Sequence, residues 1–372
     1  MNDLVPLFPR PPDWAVDWPG LVTDYPFLAD LAGCPQDPIF HAEGDVATHV
    51  RMVCEALAAL PAWRDLPASD RQTVFAAALL HDVAKPVCTR TEPDGRITSR
   101  GHSRRGSIMA RRLLWHRAWP FAMREMVAAL VRYHQVPYHL LDHGDPARRA
   151  AEVSQTARCD LLTILAEADV RGRICRDQNR LLDAVALFAE FCREQDCWTA
   201  ARRFPSDHSR FLYFRDEKRS ADVLAHEDFR TEVVLMSGLP GSGKNHWVTA
   251  HLPDWPVVSL DALREELDVK PTDTQGTVLN AARQQAREYL RAGRPFVWNA
   301  TNLSRLVRNE CIRLFADYHA RVRIVYVEVS EQRLQLQNRK RAKMVPTRVI
   351  ERMLDRWEVP DRTEAHEVSY VV

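Results

Sequence analysis

No apolar run in this chain is long enough to cross a bilayer: the longest unbroken one covers residues 74–80, against the roughly 20 residues that a membrane helix needs. No charged-then-apolar leader opens the sequence, so the expected location is the cytoplasm, with no membrane partner. Net charge is scarce as well. Lys and Arg number 51 against 50 Asp and Glu, leaving +1 at neutral pH and no basic tail. A long duplex held by a global positive field is therefore disfavoured, and any nucleic-acid contact must come from a local cluster. The eight cysteines contain no C-x-x-C pair and no structural-zinc spacing. They read as reduced thiols, most of them small buried apolar groups. Internal repeats and low-complexity tracts are absent. What is present, 46% apolar and 27% charged residues over 372 positions, is ordinary globular material, enough for two domains.

The most informative stretch runs from Val233 to Asn245. Residues 233–237 read as a short buried strand, followed by a glycine-rich turn and a helix opening at Lys244. Gly238, Gly243 and Lys244 fit the phosphate-cradling pattern G-x-x-x-x-G-K-[ST], with Gly241 and Ser242 inside the loop. Glycines let the backbone turn its N–H groups inward, and a helix start adds partial positive charge beside a triphosphate. Asn245 stands where the pattern has a hydroxyl that touches Mg²⁺. Its amide oxygen is still a hard ligand, so its effect on the metal stays open.

A nucleotide-kinase fold needs only the residues after about 230, so the first two hundred must form something else. The first forty are rich in Pro, Trp and Asp and read as an irregular arm. From Asp45 the pattern is helical. Val46, Val50, Val53, Leu57 and Leu60 form a stripe that includes His49, and a second helix from Arg71 to about residue 84 carries His81-Asp82 on its last turns. Asp94-Gly95 predicts a hairpin turn. Further helices place His102 ahead of Gly106 and Met109, His134 after Val127, Leu130 and Val131, and Asp169 after Leu162 and Leu165. Buried His and Asp cost several kcal/mol each when unpaired. His49, His81, Asp82, His102, His134 and Asp169 on or beside the apolar faces of five successive helices therefore point to metal more than to satisfied core residues. Mixed imidazole and carboxylate donors suit transition metals, and the matching chemistry is metal-assisted hydrolysis. His41 and Glu43 are placed at the site mouth. His116, His139 and His143, with no stripe behind them, are expected on the surface.

This half resembles the HD phosphohydrolase superfamily, whose defining pair is an adjacent His-Asp, here His81-Asp82. The segment from His81 to Lys85, Gly101-His102 and Ala168-Asp169 are most similar to the HD domains attached to bacterial tRNA nucleotidyltransferases. Such domains hydrolyse phosphomonoesters and 2′,3′-cyclic phosphates. The resemblance implies two ions such as Mn²⁺, Co²⁺, Ni²⁺, Fe²⁺ or Zn²⁺. Asp82 would bridge them, His49, His81 and Asp169 would hold one, and His102 and His134 the other. Lys85 would meet a phosphate oxygen.

After the glycine loop, strands and helices alternate as a parallel sheet requires. Strands are expected at 233–237, 256–260, 296–300 and 322–329, with helices at about 244–250, 275–292, 304–318, 331–341 and 346–357. Active residues in such sheets gather at strand carboxyl ends, which brings Asp261 with Arg264, Asn299 to Asn302, and the basic run after Glu331 beside the loop. Asp261 suits a general base, a water-mediated magnesium ligand or a helix N-cap. The run from Asn338 to Pro346 is either a lid over a triphosphate or a solvated basic face.

These motifs, with Asp261-x-x-Arg264 and Asn299-Ala-Thr-Asn302, resemble the polynucleotide 5′-kinase branch of P-loop phosphotransferases. The resemblance implies that Asp261 takes a proton from a 5′-hydroxyl, that Arg264 contacts the neighbouring phosphate, that Arg339 and Arg341 grip ATP or another NTP with Mg²⁺, and, more weakly, that Arg305 and Arg308 position the strand. The expected architecture is an all-α HD domain over residues 1–205, a connection over 206–230, and an α/β P-loop kinase domain with a parallel sheet over 231–372. That order is the arrangement of bacterial bifunctional end-healing enzymes acting on RNA or DNA ends. A metabolite kinase fused to an HD nucleotidase, and a nucleotide-sensing protein without turnover, are the competing readings.

Overall fold

The structure, a computed structural model, describes residues 8–270, 273–341 and 343–372. The chain divides into two units, Met1–Arg203 and Phe204–Val372.

The first unit is helical. Asp45 accepts a hydrogen bond from Thr48 N at 2.8 Å and thereby caps the helix Val46–Ala59, the ordinary use of Asp ahead of an apolar stripe. That helix buries Val46, His49, Val50, Val53, Cys54 and Leu57 at three- and four-residue intervals, as a core-facing helix must. The helix Ala68–Leu80 is buried continuously from Thr73 to Leu80. It is the central member, packed by Val46–Ala59, Phe121–Tyr133 and Cys159–Arg171. Gly172 ends the last of these where an added Cβ would lie 2.5 Å from Val53 N. Only glycine permits backbone to come that close.

Two expectations change here, and the hairpin is found where expected. His81-Asp82 does not ride on the second helix. The helix stops at Leu80, with His81 as its C-cap, so the pair sits in the turn leading to the short helix Lys85–Cys88. The described part of the N-terminal arm is partly regular, with a helix Trp18–Asp24 and a 3₁₀ helix Pro26–Leu31 that bury Leu21, Leu28 and Leu31. Residues 1–7 of that arm lie outside the described residues. The hairpin at Asp94-Gly95 is a two-residue ladder pairing Arg90 with Thr98 and Thr91 with Ile97, and Gly95 has φ 83°.

The second unit carries a five-stranded, all-parallel sheet in the order Val257–Ser259, Phe296–Asn299, Thr231–Ser237, Ala320–Val327, Glu367–Val371. The central strand buries Val233 to Ser237 without alternation, as expected where helices cover both faces. The fifth strand has no counterpart in the sequence reading: its residues are half-buried or exposed, so no apolar run announces it. The expected strand at 256–260 ends at Ser259, which caps the helix Leu260–Glu266 through Ala262 N, so the helix starts before Asp261 and not after it. The stretch expected as a connection belongs to this unit. Its helix Asp207–Tyr213 buries Phe211 against the sheet core, and Arg210 donates to the carbonyls of Arg362 and His366.

Candidate functional site

Two sites arise, one in each unit. In the helical unit, His49, His81, Asp82, His102, His134 and Asp169 are all buried and meet at one place. Three of the imidazoles are oriented by the same local device. His81, His102 and His134 each direct Nδ1 at the carbonyl three residues earlier, Ala78, Ser99 and Val131, at 2.8, 2.7 and 2.8 Å. Two of these histidines stand at helix C-caps and one opens a helix, where the backbone geometry permits this turn-back. A ring that donates from Nδ1 has its lone pair on Nε2. These Nε2 atoms point inward, and they point at each other. His81 and His49 lie 3.3 Å apart at Nε2, as do His102 and His134. At His102 and His134 both rings carry the lone pair on Nε2, and lone pairs facing at that separation repel unless a cation lies among them.

Asp82 joins the two pairs. Its Oδ2 is 3.2 Å from His81 Nε2 and 3.7 Å from His49 Nε2, while Oδ1 is 3.4 Å from His102 Nε2. Oδ1 is buried with no hydrogen-bond partner among the described residues. The ligand atoms of His49, His81 and Asp82 lie within 4.8 Å of one another, and so do those of Asp82, His102 and His134. An orphaned carboxylate oxygen between facing imidazole lone pairs is a donor set that fits two divalent ions with Asp82 shared. Asp169 closes the first group, its Oδ1 being 3.1 Å from His49 Nε2.

The electrostatics agree at His102 and His134, whereas at His81 the resistance of burial is outweighed by Asp82 and Asp169, which raise the imidazole. Burial, then the neighbouring His102 and His81, hold His134 down at about 3, and burial also lowers His102. Both therefore keep free lone pairs at neutral pH. Burial resists ionisation of Asp82 and Asp169, but Lys85 and His81 around the first, and Arg173 and His49 around the second, overcome it and hold both carboxylates well below the ordinary range. Lys85 Nζ sits 2.8 Å from Asp82 Oδ2 and donates to Gln36 Oε1 at 2.6 Å. It borders a cleft of about 440 Å³ together with Gln36, His102, Tyr138 and Arg173.

Of the two residues expected at the mouth, His41 borders the cleft, whereas the Glu43 carboxylate is buried behind it, with Oε1 2.8 Å from His41 Nδ1. His49 Nδ1 is 2.9 Å from the same oxygen but is not aligned for a hydrogen bond. The sequence reading missed two residues here. Tyr138 donates to Asp169 Oδ2 at 2.7 Å and Arg173 to Oδ1 at 2.9 Å. Arg173 was findable, one helical turn beyond Asp169. Nothing in the pattern marks Tyr138. His116, His139 and His143 are exposed, His139 at the cleft rim.

In the second unit, a cleft of about 960 Å³ opens at the carboxyl ends of the strands, lined by Gly241, Gly243, Lys244, Asn245, Asp261, Arg264, Asn299 and Arg341 among others. Gly238 and Gly243 adopt φ 145° and 106°, a region that residues with a Cβ rarely enter, and a Cβ on Gly238 would lie 2.2 Å from Val327 O. Lys244 Nζ donates to Gly238 O and Leu239 O at 2.8 and 2.9 Å. Burial lowers its pKa to about 8. Asn245 Oδ1 accepts from Asn299 Nδ2 at 2.9 Å. Asp261 is exposed and paired with Arg264, which also donates to Gln275 Oε1 at 2.7 Å. The N-cap role open to Asp261 is taken by Ser259.

Several residues expected here lie elsewhere. Gly238 and Ser242 do not line the cleft, and Ser242 is buried with its hydroxyl unpartnered among the described residues. Arg339 is exposed and also outside the cleft lining, whereas Arg341 is in it. The helix Glu331–Arg339 ends at Arg339 with Lys340 as its C-cap, so Arg341 lies beyond it in the following loop. Asn338 serves the loop itself, bonding Val345 O at 2.8 Å and Val345 N at 3.0 Å. Arg308 is fully buried, paired with Glu364 at 2.7 Å and donating to the carbonyls of Asn302 and Glu358. Arg305 bonds Asp361 and Thr363. Both tie the C-terminal segment to the sheet and do not reach toward a bound strand. Arg352 and Arg356 border the cleft and were not anticipated.

Residues 45–172 match the family described as HD domain, and residues 233–360 match the family described as AAA domain. Among curated proteins, the chain is 33% identical over 117 residues to the multifunctional CCA protein of Halorhodospira halophila, covering 32% of this chain and 26% of that one. It is 31% identical over 165 residues to the multifunctional CCA protein of Methylococcus capsulatus, covering 40% and 34%. It is also 35% identical over 145 residues to the CC-adding tRNA nucleotidyltransferase of Thermus thermophilus, covering 38% and 30%. The chain thus spans between 26% and 34% of the length of these relatives. Together with the parallel sheet, the two family matches indicate a phosphohydrolase domain followed by a kinase-like P-loop domain. No described helix is long and apolar enough to cross a membrane.

Proposed function

We propose that this chain repairs broken nucleic-acid ends. The helical unit removes 2′,3′-cyclic phosphate, 2′-phosphate or 3′-phosphate, and the P-loop unit phosphorylates 5′-hydroxyls from ATP or another NTP with Mg²⁺. The observation that carries the esterase half is the pair of facing Nε2 contacts joined by Asp82. Divalent transition metals held by His49, His81, Asp82, His102, His134 and Asp169 would supply Lewis acidity to a phosphate and to an attacking water. The protein's own groups do the positioning. Lys85 exchanges its contact with Gln36 for a phosphate oxygen, Arg173 holds Asp169 ionised, and Tyr138 orients it by its hydrogen bond.

In the P-loop unit, Asp261 leaves Arg264 to accept the proton of the 5′-hydroxyl, and Arg264 turns to the adjacent phosphate. Lys244 trades two loop carbonyls for triphosphate oxygens, and Arg341 balances charge on the transferred group. Arg264, Arg341, Arg352 and Arg356 around one cleft form the local basic cluster that a near-neutral chain needs for a polynucleotide. One relative is by name a CC-adding tRNA nucleotidyltransferase, which favours RNA among the substrates.

The test uses an oligoribonucleotide with a 5′-hydroxyl and a 2′,3′-cyclic phosphate, incubated with the full chain, labelled ATP and a panel of divalent metals. Label at the 5′ end and loss of the cyclic phosphate are expected. Labelling of nucleosides or small alcohols in preference to the oligonucleotide would instead make the P-loop unit a metabolite kinase, and ATP binding without any transfer would make it a sensor.

A further inference from the structure

The eight cysteines carry no metal spacing in sequence, yet three of them converge in space. Cys159, Cys192 and Cys197 offer sulfurs that all lie within 4.8 Å of one another, and the three residues are 0%, 0% and 1% exposed. They come from two separate segments. Cys159 is the first residue of the helix Cys159–Arg171. Cys192 lies in the last turn of Gln178–Glu194, and Cys197 follows Asp196, whose φ of 50° turns the chain back. Backbone bonds hold this arrangement. Cys197 N donates to Cys192 O at 2.9 Å, and Asp160 N donates to Trp198 O at 3.1 Å.

We propose that Cys159, Cys192 and Cys197 form a thiolate site for a thiophilic d¹⁰ cation of the zinc class, separate from the His/Asp centre. A disulfide would use two of the sulfurs and strand the third. A cation takes all three, and sulfur-only donors select soft or borderline metals. The start of a 13-residue helix places partial positive charge at Cys159. As each sulfur–metal bond forms, the thiol proton leaves to solvent, so binding releases up to three protons per ion and tightens as pH rises.

The site is tested on the reduced full chain with Co²⁺ as probe. Sulfur-to-cobalt charge transfer absorbs in the near ultraviolet, and the His/Asp centre, having no sulfur ligand, cannot produce it. One saturable band per chain is expected, displaced by Zn²⁺, retained in Asp82→Asn and reduced at least tenfold in Cys192→Ser and Cys197→Ser. Because a serine in this core can unfold the unit, wild-type chain is also alkylated with and without Zn²⁺ and its cysteines mapped. Joint protection of Cys159, Cys192 and Cys197 by Zn²⁺ supports the site. No band in the wild type, a band undiminished in folded variants, unchanged alkylation, or a Cys192–Cys197 disulfide in chain kept under reductant overturns it.

Discussion

Arg339 and Arg341 look interchangeable in a basic run, but only the second borders the cleft proposed to hold the nucleotide. Arg341→Ala is expected to lower kcat/KM for phosphoryl transfer by about 10²-fold or more, the scale of a lost charge-stabilising donor. Arg339→Ala should change it less than threefold. Steady-state kinetics on both variants decide this, and equal effects would reverse the assignment. A second residue-scale prediction concerns His366. It is buried, accepts from Val322 N at Nδ1 and is stacked 3.9 Å from Phe211. Burial, then His208 and Arg321, push it down to about 3 from 6.5. A histidine with a depressed folded pKa is neutral when folded, while the unfolded chain takes up a proton below pH 6.5. The stabilisation is therefore complete above about pH 6.5 and is lost as pH falls toward 3, by at most about 1.4 kcal/mol per pH unit. Urea unfolding of the second unit between pH 7 and 5 should show a falling midpoint, and a shallower fall in His366→Asn.

Gly172 shows how one element's end governs a site. It lets the helix Cys159–Arg171 finish against the backbone of Val53, three residues after Asp169, which must reach His49 on the facing helix. In Gly172→Ala the new methyl meets main chain, which cannot rotate away as a side chain would. Overpacking of this kind costs about 1–3 kcal/mol, and the two helices must separate. Thermal denaturation should show the loss of stability, and metal titration a weaker first site. An unchanged affinity would mean that Asp169 is not held by this contact. The i−3 carbonyl bonds of His81, His102 and His134 belong to the same scale: helix ends place the rings, and the interhelical packing only brings the ends together.

For the molecule as a whole, the two sites are built wholly within separate units, Met1–Arg203 and Phe204–Val372. Asp82→Asn is accordingly expected to abolish phosphate release while leaving 5′-phosphorylation within twofold. Lys244→Ala should do the reverse. Assaying both activities on both variants is sufficient, and parallel loss of the two would mean that one site depends on the other.

Much of this protein was legible in the chain itself. The glycine loop, four of the five strands and the inward His/Asp set follow from patterns a few residues long, because glycine-rich turns and the burial of one helix face are dictated locally. The fifth strand was not legible, since its side chains are only partly buried and carry no apolar signature. The same holds for the burial of Arg308 by Glu364, the choice of Arg341 over Arg339, the contact of Tyr138 with Asp169 and the meeting of three cysteines. Each depends on segments distant in sequence arriving at one point, and only packing determines which side chains face each other there. Periodicity states that a group turns inward. The tertiary structure alone states what it finds when it does.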